Sequence, residues 1–291
     1  MRTPVTLLAF FVGLIVLFGV AVSLGEVVGG RVPGIPGGGY GSDENGSDGG
    51  DEHPPEDDDK LGGLSISDQG YVLWPVVTRF PAGETAEFRF TIFTVDRTPV
   101  TDFAIDRDRR MRLIVVRRDM TEYQHLRGTM DPDGTWTVRL RIDEPGSYRA
   151  FATFRPRSAA APVTLGVDLE VPGLVESRAI SQPSELAEVD EYTVMLDGTV
   201  LAGGVSRLYM TVLREGKPVT DLEPYLGATG HLVMLREGDL AYLHVYPLTG
   251  TRSGPTITFE SRVPTPGYYR VFLEFKHRGE VRTAEFTVMA S

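Results

Sequence analysis

Residues 145–151 read Pro-Gly-Ser-Tyr-Arg-Ala-Phe, and residues 266–272 repeat them as Pro-Gly-Tyr-Tyr-Arg-Val-Phe, 121 residues later. A second pair of segments recurs at an offset of 119 residues: Arg-Leu-Ile-Val-Val-Arg at 112–117 and His-Leu-Val-Met-Leu-Arg at 231–236. The second copy therefore carries a two-residue insertion. A period this long exceeds that of solenoid or propeller repeats and fits one small domain per copy. The sequence predicts a duplicated domain.

The composition limits the class of protein. The 291 residues suffice for two domains with their own apolar cores, and the chain has no cysteine. This excludes disulfides, thiol nucleophiles and thiolate metal sites, so a metal would need His, Met or oxygen ligands. Of the net charge of -11, eight negative charges come from residues 26–63, where ten acidic residues face only Arg31 and Lys60. The rest lacks the concentrated positive charge that nucleic-acid binding requires.

The N-terminal 25 residues are predicted to be a transmembrane anchor. Residues 3–25 form an uncharged segment. This segment is long enough to span a bilayer and longer than the usual apolar region of a signal peptide. A cleavable signal peptide is the alternative, since Ala21-Val22-Ser23 offers small residues for cleavage. Arg2 precedes the segment and acidic residues follow it, so we expect a single-pass cell-membrane protein with its bulk outside the cytoplasm. The Gly-rich, acidic segment 26–63 is predicted to be a disordered tether.

From about residue 64 the pattern indicates antiparallel β-structure. Short runs rich in Val, Thr, Phe, Tyr and Leu are broken by Pro-Gly, Asp-Gly and Glu-Gly pairs about every 8–12 residues. The fold class is therefore predicted as all-β, with two tandem β-sandwiches of the immunoglobulin-like (Ig-like) or cupredoxin-like type at 64–172 and 191–291. A linker at 173–190 permits them to pack end to end. In the first copy we expect strands near residues 71–77, 86–95, 111–117, 121–127, 135–142, 147–154 and 163–171.

Residues 230–247 predict a β-hairpin that carries two histidines. A two-residue turn at Glu237-Gly238 would place His231 directly opposite His244, with Cβ atoms about 4.5–5.5 Å apart. One face of the hairpin is uniformly apolar and is predicted to face the core. Both histidines lie on the other face, which we interpret as a binding site or a contact with the other domain. There they could share a metal ion or an acidic ligand, with His277 from a later hairpin as a third metal ligand.

The second copy resembles a group of exported, membrane-anchored bacterial proteins with tandem Ig-like domains. The resemblance covers about residues 80–290 and is carried by the hairpin, whose pattern in that group reads H-L-V followed by Y-L-H-V-H-P, and by Asp-Leu-Glu-Pro-Tyr-Leu-Gly-Ala at 221–228. A looser similarity to YtkA-like and other copper-handling exported modules implies copper or zinc binding. Tyr246 stands where the group has its second hairpin histidine. Arg112 and Arg127 replace histidines of the first copy, so a metal site is expected in the second domain only.

The sequence thus leaves two functional hypotheses. We find no linear catalytic motif, which predicts a protein that is not an enzyme. The first hypothesis is a non-enzymatic, membrane-anchored protein whose domains bind a protein or envelope partner. The second is a metal-binding accessory module with His231, His244 and His277 as ligands. Histidines paired on strands also serve as cross-strand or interdomain hydrogen-bonding residues, and that reading stays open.

Overall fold

The computed structural model describes residues 61–106, 108–176, 178–248 and 254–291. Every regular element in these ranges is a β-strand, so the predicted all-β class is confirmed. No helix among them is long and apolar enough to cross a membrane. The predicted anchor and almost all of the predicted tether lie outside the described residues.

The first domain is a sandwich of two antiparallel sheets. Its five-stranded sheet has the order β1 (Ser67–Asp68), β2 (Tyr71–Pro75), β3 (Thr85–Thr94), β7 (Thr135–Arg141) and β6 (Gly128–Met130). Its four-stranded sheet has the order β5 (Gln124–Leu126), β4 (Met111–Arg117), β8 (Gly146–Phe154) and β9 (Val163–Val171). These strands lie close to the predicted positions, because alternation such as buried Phe88, Phe90 and Ile92 with Glu87 and Arg89 exposed is legible in the sequence.

The second domain repeats this plan. One sheet has the order β10 (Leu186–Val189), β11 (Tyr192–Asp197), β12 (Gly204–Arg214), β17 (Thr256–Val263) and β16 (Val245–Pro247), with β13 (Lys217–Pro218) beside β12. The other has the order β15 (Tyr242–Leu243), β14 (Gly230–Arg236), β18 (Gly267–His277) and β19 (Glu280–Ala290). Strand β10 lies inside the segment predicted as linker. It forms there because Ala187 pairs with Val194 and is buried against the core.

The predicted register of the histidine hairpin is wrong by two residues. Strand β14 pairs with β15 through Met234 with Leu243 and Leu235 with Tyr242, so His231 does not lie opposite His244. The connection is longer than a two-residue turn: Leu240 adopts a left-handed backbone with φ of 61°, and its amide bonds back to the carbonyl of residue 236. After His244 the chain leaves this sheet, and β16 joins the opposite sheet by pairing with β17. The shift of two residues preserves which face each side chain occupies.

The repeated Pro-Gly-x-Tyr-Arg motif forms a tyrosine corner in each domain. Tyr148 donates a hydrogen bond of 2.8 Å to the carbonyl oxygen of Glu144, and Tyr269 donates one of 2.8 Å to that of Thr265. Both side chains are fully buried. Burial of the Tyr148 hydroxyl raises its pKa to about 12, so it stays a donor throughout the neutral range.

Removing this hydroxyl should weaken the first domain. We expect Tyr148→Phe to lower the free energy of unfolding by about 1–2 kcal/mol, because the Glu144 carbonyl loses its donor while the apolar packing stays. Tyr71→Phe is the control, since its hydroxyl makes only a long 3.4 Å contact with Ser158 at the surface. Urea unfolding measures both variants. Equal effects would contradict a specific role for the corner.

The segment between the domains is bound to the first domain by an ion-pair cluster. Arg117 donates to both carboxylate oxygens of Asp119 at 2.9 and 2.7 Å and to Glu144 at 2.6 Å. Arg178, from the connecting segment, donates its backbone N–H to Asp119 at 3.1 Å and pairs with Glu144 through its guanidinium. Burial opposes ionisation of Asp119, but the hydrogen bonds from Arg117, the Arg178 amide and Thr121 outweigh it and hold its pKa at about 2.

This depressed pKa predicts acid sensitivity. The stabilisation by Asp119 is complete above its unfolded-state pKa of 3.8 and is lost as the pH falls from there towards 2. We expect the wild type to lose about 1 kcal/mol more than Asp119→Asn between pH 5 and pH 2.5, after allowance for solvent screening. Chemical denaturation at the two pH values measures this. Asp102→Asn is the control, because it removes an exposed ion pair with Arg157, which contributes little to stability; its loss between the two pH values should equal that of the wild type. An equal loss in Asp119→Asn and the wild type would contradict the role of Asp119.

Candidate functional site

The two domains meet through the outer faces of their four-stranded sheets. The contact has its own apolar core, which we call the interface core; it consists of Ile114, Val116, Met120, Phe151, Val233, Leu235, Leu240, Tyr242 and Phe272. None of these side chains is more than 4% exposed. The sandwiches are thus fused side by side, whereas the linker length alone had permitted an end-to-end arrangement. The hairpin face that carries His231 is therefore a contact with the other domain.

The interface has an approximate two-fold symmetry that follows from the duplication. Tyr123 and Tyr242 are equivalent in the repeat, as are Phe151 and Phe272. Tyr123 of the first domain stacks on Phe272 of the second, with ring centroids 4.2 Å apart. In the reciprocal contact Tyr242 lies against Phe151, with centroids 5.6 Å apart. The two copies therefore contact each other through the same surface, as subunits of a symmetric dimer do.

A buried polar cluster lies on one side of this interface. His125 on β5 contributes Nδ1 at 2.7 Å from Glu274 Oε2, and His231 on β14 contributes Nδ1 at 2.9 Å from the same oxygen. Glu274 lies on β18 directly opposite His231. The imidazole centroids are 5.1 Å apart, and the three side chains are 4–7% exposed. We call these three residues the His-Glu-His cluster; it joins the first domain to the second.

The electrostatics of the cluster set its protonation. Burial lowers the pKa of His231 to about 4, although the Glu274 carboxylate acts in the opposite direction, so His231 is neutral at pH 7. Burial also opposes ionisation of Glu274, but hydrogen bonds from His125 and His231 outweigh it and bring its pKa to about 2. Burial, followed by the charge of Glu274, raises the pKa of Tyr123 well above its usual value of 10. At pH 7 the cluster therefore holds the Glu274 carboxylate beside the neutral imidazole of His231.

The equivalent position across the pseudo-two-fold axis has different chemistry. Arg112 and Thr153 occupy the places of His231 and Glu274, and His244 occupies that of His125. Arg112 pairs with Asp106 at 2.9 Å. His244 Nε2 lies 3.3 Å from the hydroxyl of Thr164, which is 2.9 Å from that of Thr153. The duplication therefore keeps a carboxylate-centred cluster on one side only.

A small cavity lies between the His-Glu-His cluster and the equivalent position across the pseudo-two-fold axis. Its volume is about 50 Å³, and its lining includes His231, His244, Tyr246 and Arg112. A water needs roughly 10–15 Å³ of such space, so the cavity holds only a few waters and no organic substrate of ordinary size. Two of the three predicted metal ligands, His231 and His244, thus line one cavity.

His277 lies elsewhere in the second domain. It is three residues beyond Glu274 on β18, so its side chain points to the opposite face of the sheet. There its Nδ1 is 2.7 Å from the Tyr192 hydroxyl, and its Nε2 is 3.1 Å from an Asp221 carboxylate oxygen. The structure does not bring His277 to His231 and His244.

Sequence reasoning missed Glu274 as a site residue and His125 as its partner. His125 was recognisable only as the repeat equivalent of His244. Glu274 carried a signal that went unused, because a carboxylate in the apolar run Val-Phe-Leu-Glu-Phe at 271–275 must be paired if that strand is buried. The pairing crosses 149 residues of sequence and depends on how the domains dock.

Comparison with solved structures finds several distant matches. One is the Escherichia coli adhesin FdeC, at 14% identity over 77% of this chain and 65% of that chain, with a TM-score of 0.25. The I67–I69 fragment of titin matches at 10% identity over 76% and 64%, with a TM-score of 0.20. Bovine butyrophilin matches at 13% identity over 75% and 98%, with a TM-score of 0.22. The chain spans just under two thirds of the adhesin and titin structures.

No curated protein is similar in sequence to the chain. The similarity to YtkA-like modules stays a prediction. A family model described as a domain of unknown function, DUF8832, matches twice, at residues 68–171 and 187–291. These ranges coincide with the two sandwiches and cover most of the chain, so this protein belongs to the DUF8832 family and carries two copies of its domain.

Proposed function

We propose that this chain is a non-enzymatic binding protein of the cell exterior. In this proposal residues 1–25 anchor it in the membrane, and its two fused domains present a fixed surface to a protein or envelope partner. The observation that carries the proposal is the interface core, which makes one body of two Ig-like domains and so fixes the spacing of their outer faces. A fixed spacing lowers the conformational cost of binding a partner with both domains.

The outer sheets supply a candidate contact surface. On β2 the side chain of Leu73 is buried in the core, so its neighbour Trp74 points outwards and is 65% exposed. The equivalent residue in the second domain, Met195 on β11, is 47% exposed. Both copies therefore place a large apolar side chain at the same outer position. Tryptophan is the residue type most enriched among those that dominate binding energy in protein interfaces.

The polar cluster of the interface has no room beside it for a substrate. Among the described residues, the polar cluster of the interface is buried, and the cavity beside it has room only for water. A catalytic site needs a cavity that admits its substrate to the reactive groups.

Binding to envelope preparations tests the proposal. Labelled full-length chain should bind saturably to envelopes from its source cells, prepared without the endogenous protein. We expect Trp74→Ala to weaken this binding at least tenfold. Val95→Ala is the control, since Val95 is 72% exposed but lies at the end of a strand rather than on the sheet face. Absence of saturable binding would contradict the proposal, and equal binding by both variants would exclude Trp74 as a contact.

A further inference from the structure

We propose that His125, His231 and Glu274 bind one divalent transition-metal ion of the zinc or copper kind, which joins the two domains. The site goes beyond the proposed function, because binding of a partner through the outer sheets does not require it. Two imidazoles and one carboxylate are a donor set that suits zinc and copper, and no cysteine is needed. The ligands come from β5, β14 and β18, so neither domain holds the site alone.

The spacing of the ligand atoms fits one ion. One ligand atom from each of His125, His231 and Glu274 lies within 4.8 Å of those of the other two. Around zinc, bonds of about 2.0–2.2 Å in tetrahedral geometry place ligand atoms roughly 3.3 Å apart. The two Nδ1 atoms are now 2.7 and 2.9 Å from Glu274 Oε2, so a displacement of roughly 0.5 Å would admit an ion.

The hydrogen bonds of the cluster also fit. Both Nδ1 atoms lie within 2.9 Å of one Glu274 oxygen, so the three donor atoms already point to a common centre. Without metal, each Nδ1–H donates to Glu274. When a metal takes Nδ1, the proton of that ring moves to Nε2, so His231 changes tautomer without net proton release.

The surroundings offer a further ligand and tolerate the charge. Tyr123 Oη is buried near the cluster and makes no hydrogen bond of normal geometry, which is unusual for a buried hydroxyl. The cavity lined by His231 can supply a water instead. The nearby positive charge of Arg112 is paired with Asp106 at 2.9 Å. The single carboxylate of the cluster is therefore available to balance part of the charge of a divalent ion.

Metal titration of the purified full-length chain tests this site. The chain is stripped with a chelator and titrated separately with Zn(II) and Cu(II) by calorimetry, and with Co(II) by visible absorption. We expect one equivalent of metal per chain with a micromolar or lower Kd, and a higher thermal unfolding midpoint with metal. The double variant His125→Asn/His231→Asn should bind at least 100-fold more weakly. Asparagine retains an N–H donor for Glu274, so the metal-free fold should persist.

Two further variants make the outcome decisive. Glu274→Gln keeps an acceptor oxygen for both histidines but removes the charge, and it should also lose the Co(II) absorption band. His277→Asn, on the opposite face of β18, should bind metal like the wild type. Undiminished binding by the double variant, loss of binding confined to His277→Asn, or no binding by the wild type would overturn the site. None of these results bears on the envelope-binding test, which depends on Trp74.

Discussion

Replacing Phe272 by alanine is expected to lower the free energy of unfolding by about 3–5 kcal/mol and to uncouple the two domains. Phe272 is fully buried in the interface core and stacks on Tyr123 with a 14° angle between the rings. The Arg270 guanidinium lies 5.7 Å from the centroid of its ring. Alanine removes these contacts and leaves a void at a surface shared by both domains. The loss should therefore affect the stability of each.

Urea unfolding followed by two probes measures this effect. In the wild type we expect one cooperative transition, because the interface core makes unfolding of one domain costly for the other. In Phe272→Ala we expect an earlier transition that separates into two. Tyr268→Ala is the matched control: this tyrosine lies on the same face of the same strand but is 39% exposed and outside the interface core. A single transition of wild-type midpoint in Phe272→Ala would show that the interface contributes little.

The fold could be predicted well from the sequence because strands and turns are specified by residues close together in the chain. The strands of the first domain followed from side-chain alternation and from turn residues, both of which act over a few positions. The hairpin register failed for the same reason. Glu237-Gly238 looked like a two-residue turn, but Leu240 takes a left-handed conformation and lengthens the connection. Leu240 packs in the interface core, and this contact stabilises the longer connection. Local propensity does not report such a tertiary contact.

The candidate site was only partly predictable. The hairpin identified His231, but sequence reasoning missed His125 and Glu274, because nothing local joins either histidine to Glu274. The contact between His231 and Glu274 depends on strand pairing across 43 residues of sequence. The contact between His125 and Glu274 depends on how the two domains dock and spans 149 residues. His277 was predicted as a third ligand without regard to the alternation of β18: residues 271, 273 and 275 face the core of the domain, so residue 277 does too.

Replacing Gly166 by alanine is expected to expel the segment 61–65 from the groove between the domains. A Cβ at Gly166 would lie 1.9 Å from the carbonyl oxygen of Gly63, which is far inside van der Waals contact. That oxygen accepts two hydrogen bonds from Arg149, of 2.8 and 2.6 Å. Gly62 in turn exchanges two backbone hydrogen bonds of 2.9 Å with Tyr242 of the second domain. We expect the free energy of unfolding to fall by about 3 kcal/mol, because the buried Arg149 guanidinium loses Gly63 as an acceptor and keeps its bond to Asp168.

Hydrogen exchange and limited proteolysis measure the displacement. The amides of Gly62, Gly63 and Tyr242 should lose protection in Gly166→Ala, and cleavage within residues 61–66 should accelerate. Gly204→Ala is the control, since a Cβ there meets only Leu201 Cβ at 3.7 Å. Wild-type protection in Gly166→Ala would mean that the segment shifts within its groove and keeps its bonds.

The segment 61–65 also bears on how the folded domains are held. It begins inside the range predicted as tether, and its backbone bonds reach β9 of the first domain and β15 of the second. A pull on the chain before residue 61 would therefore act on both domains at once, where they meet. If Gly166→Ala frees the segment, the same pull would act on the first domain alone, through β1, and the interface core would no longer share the load.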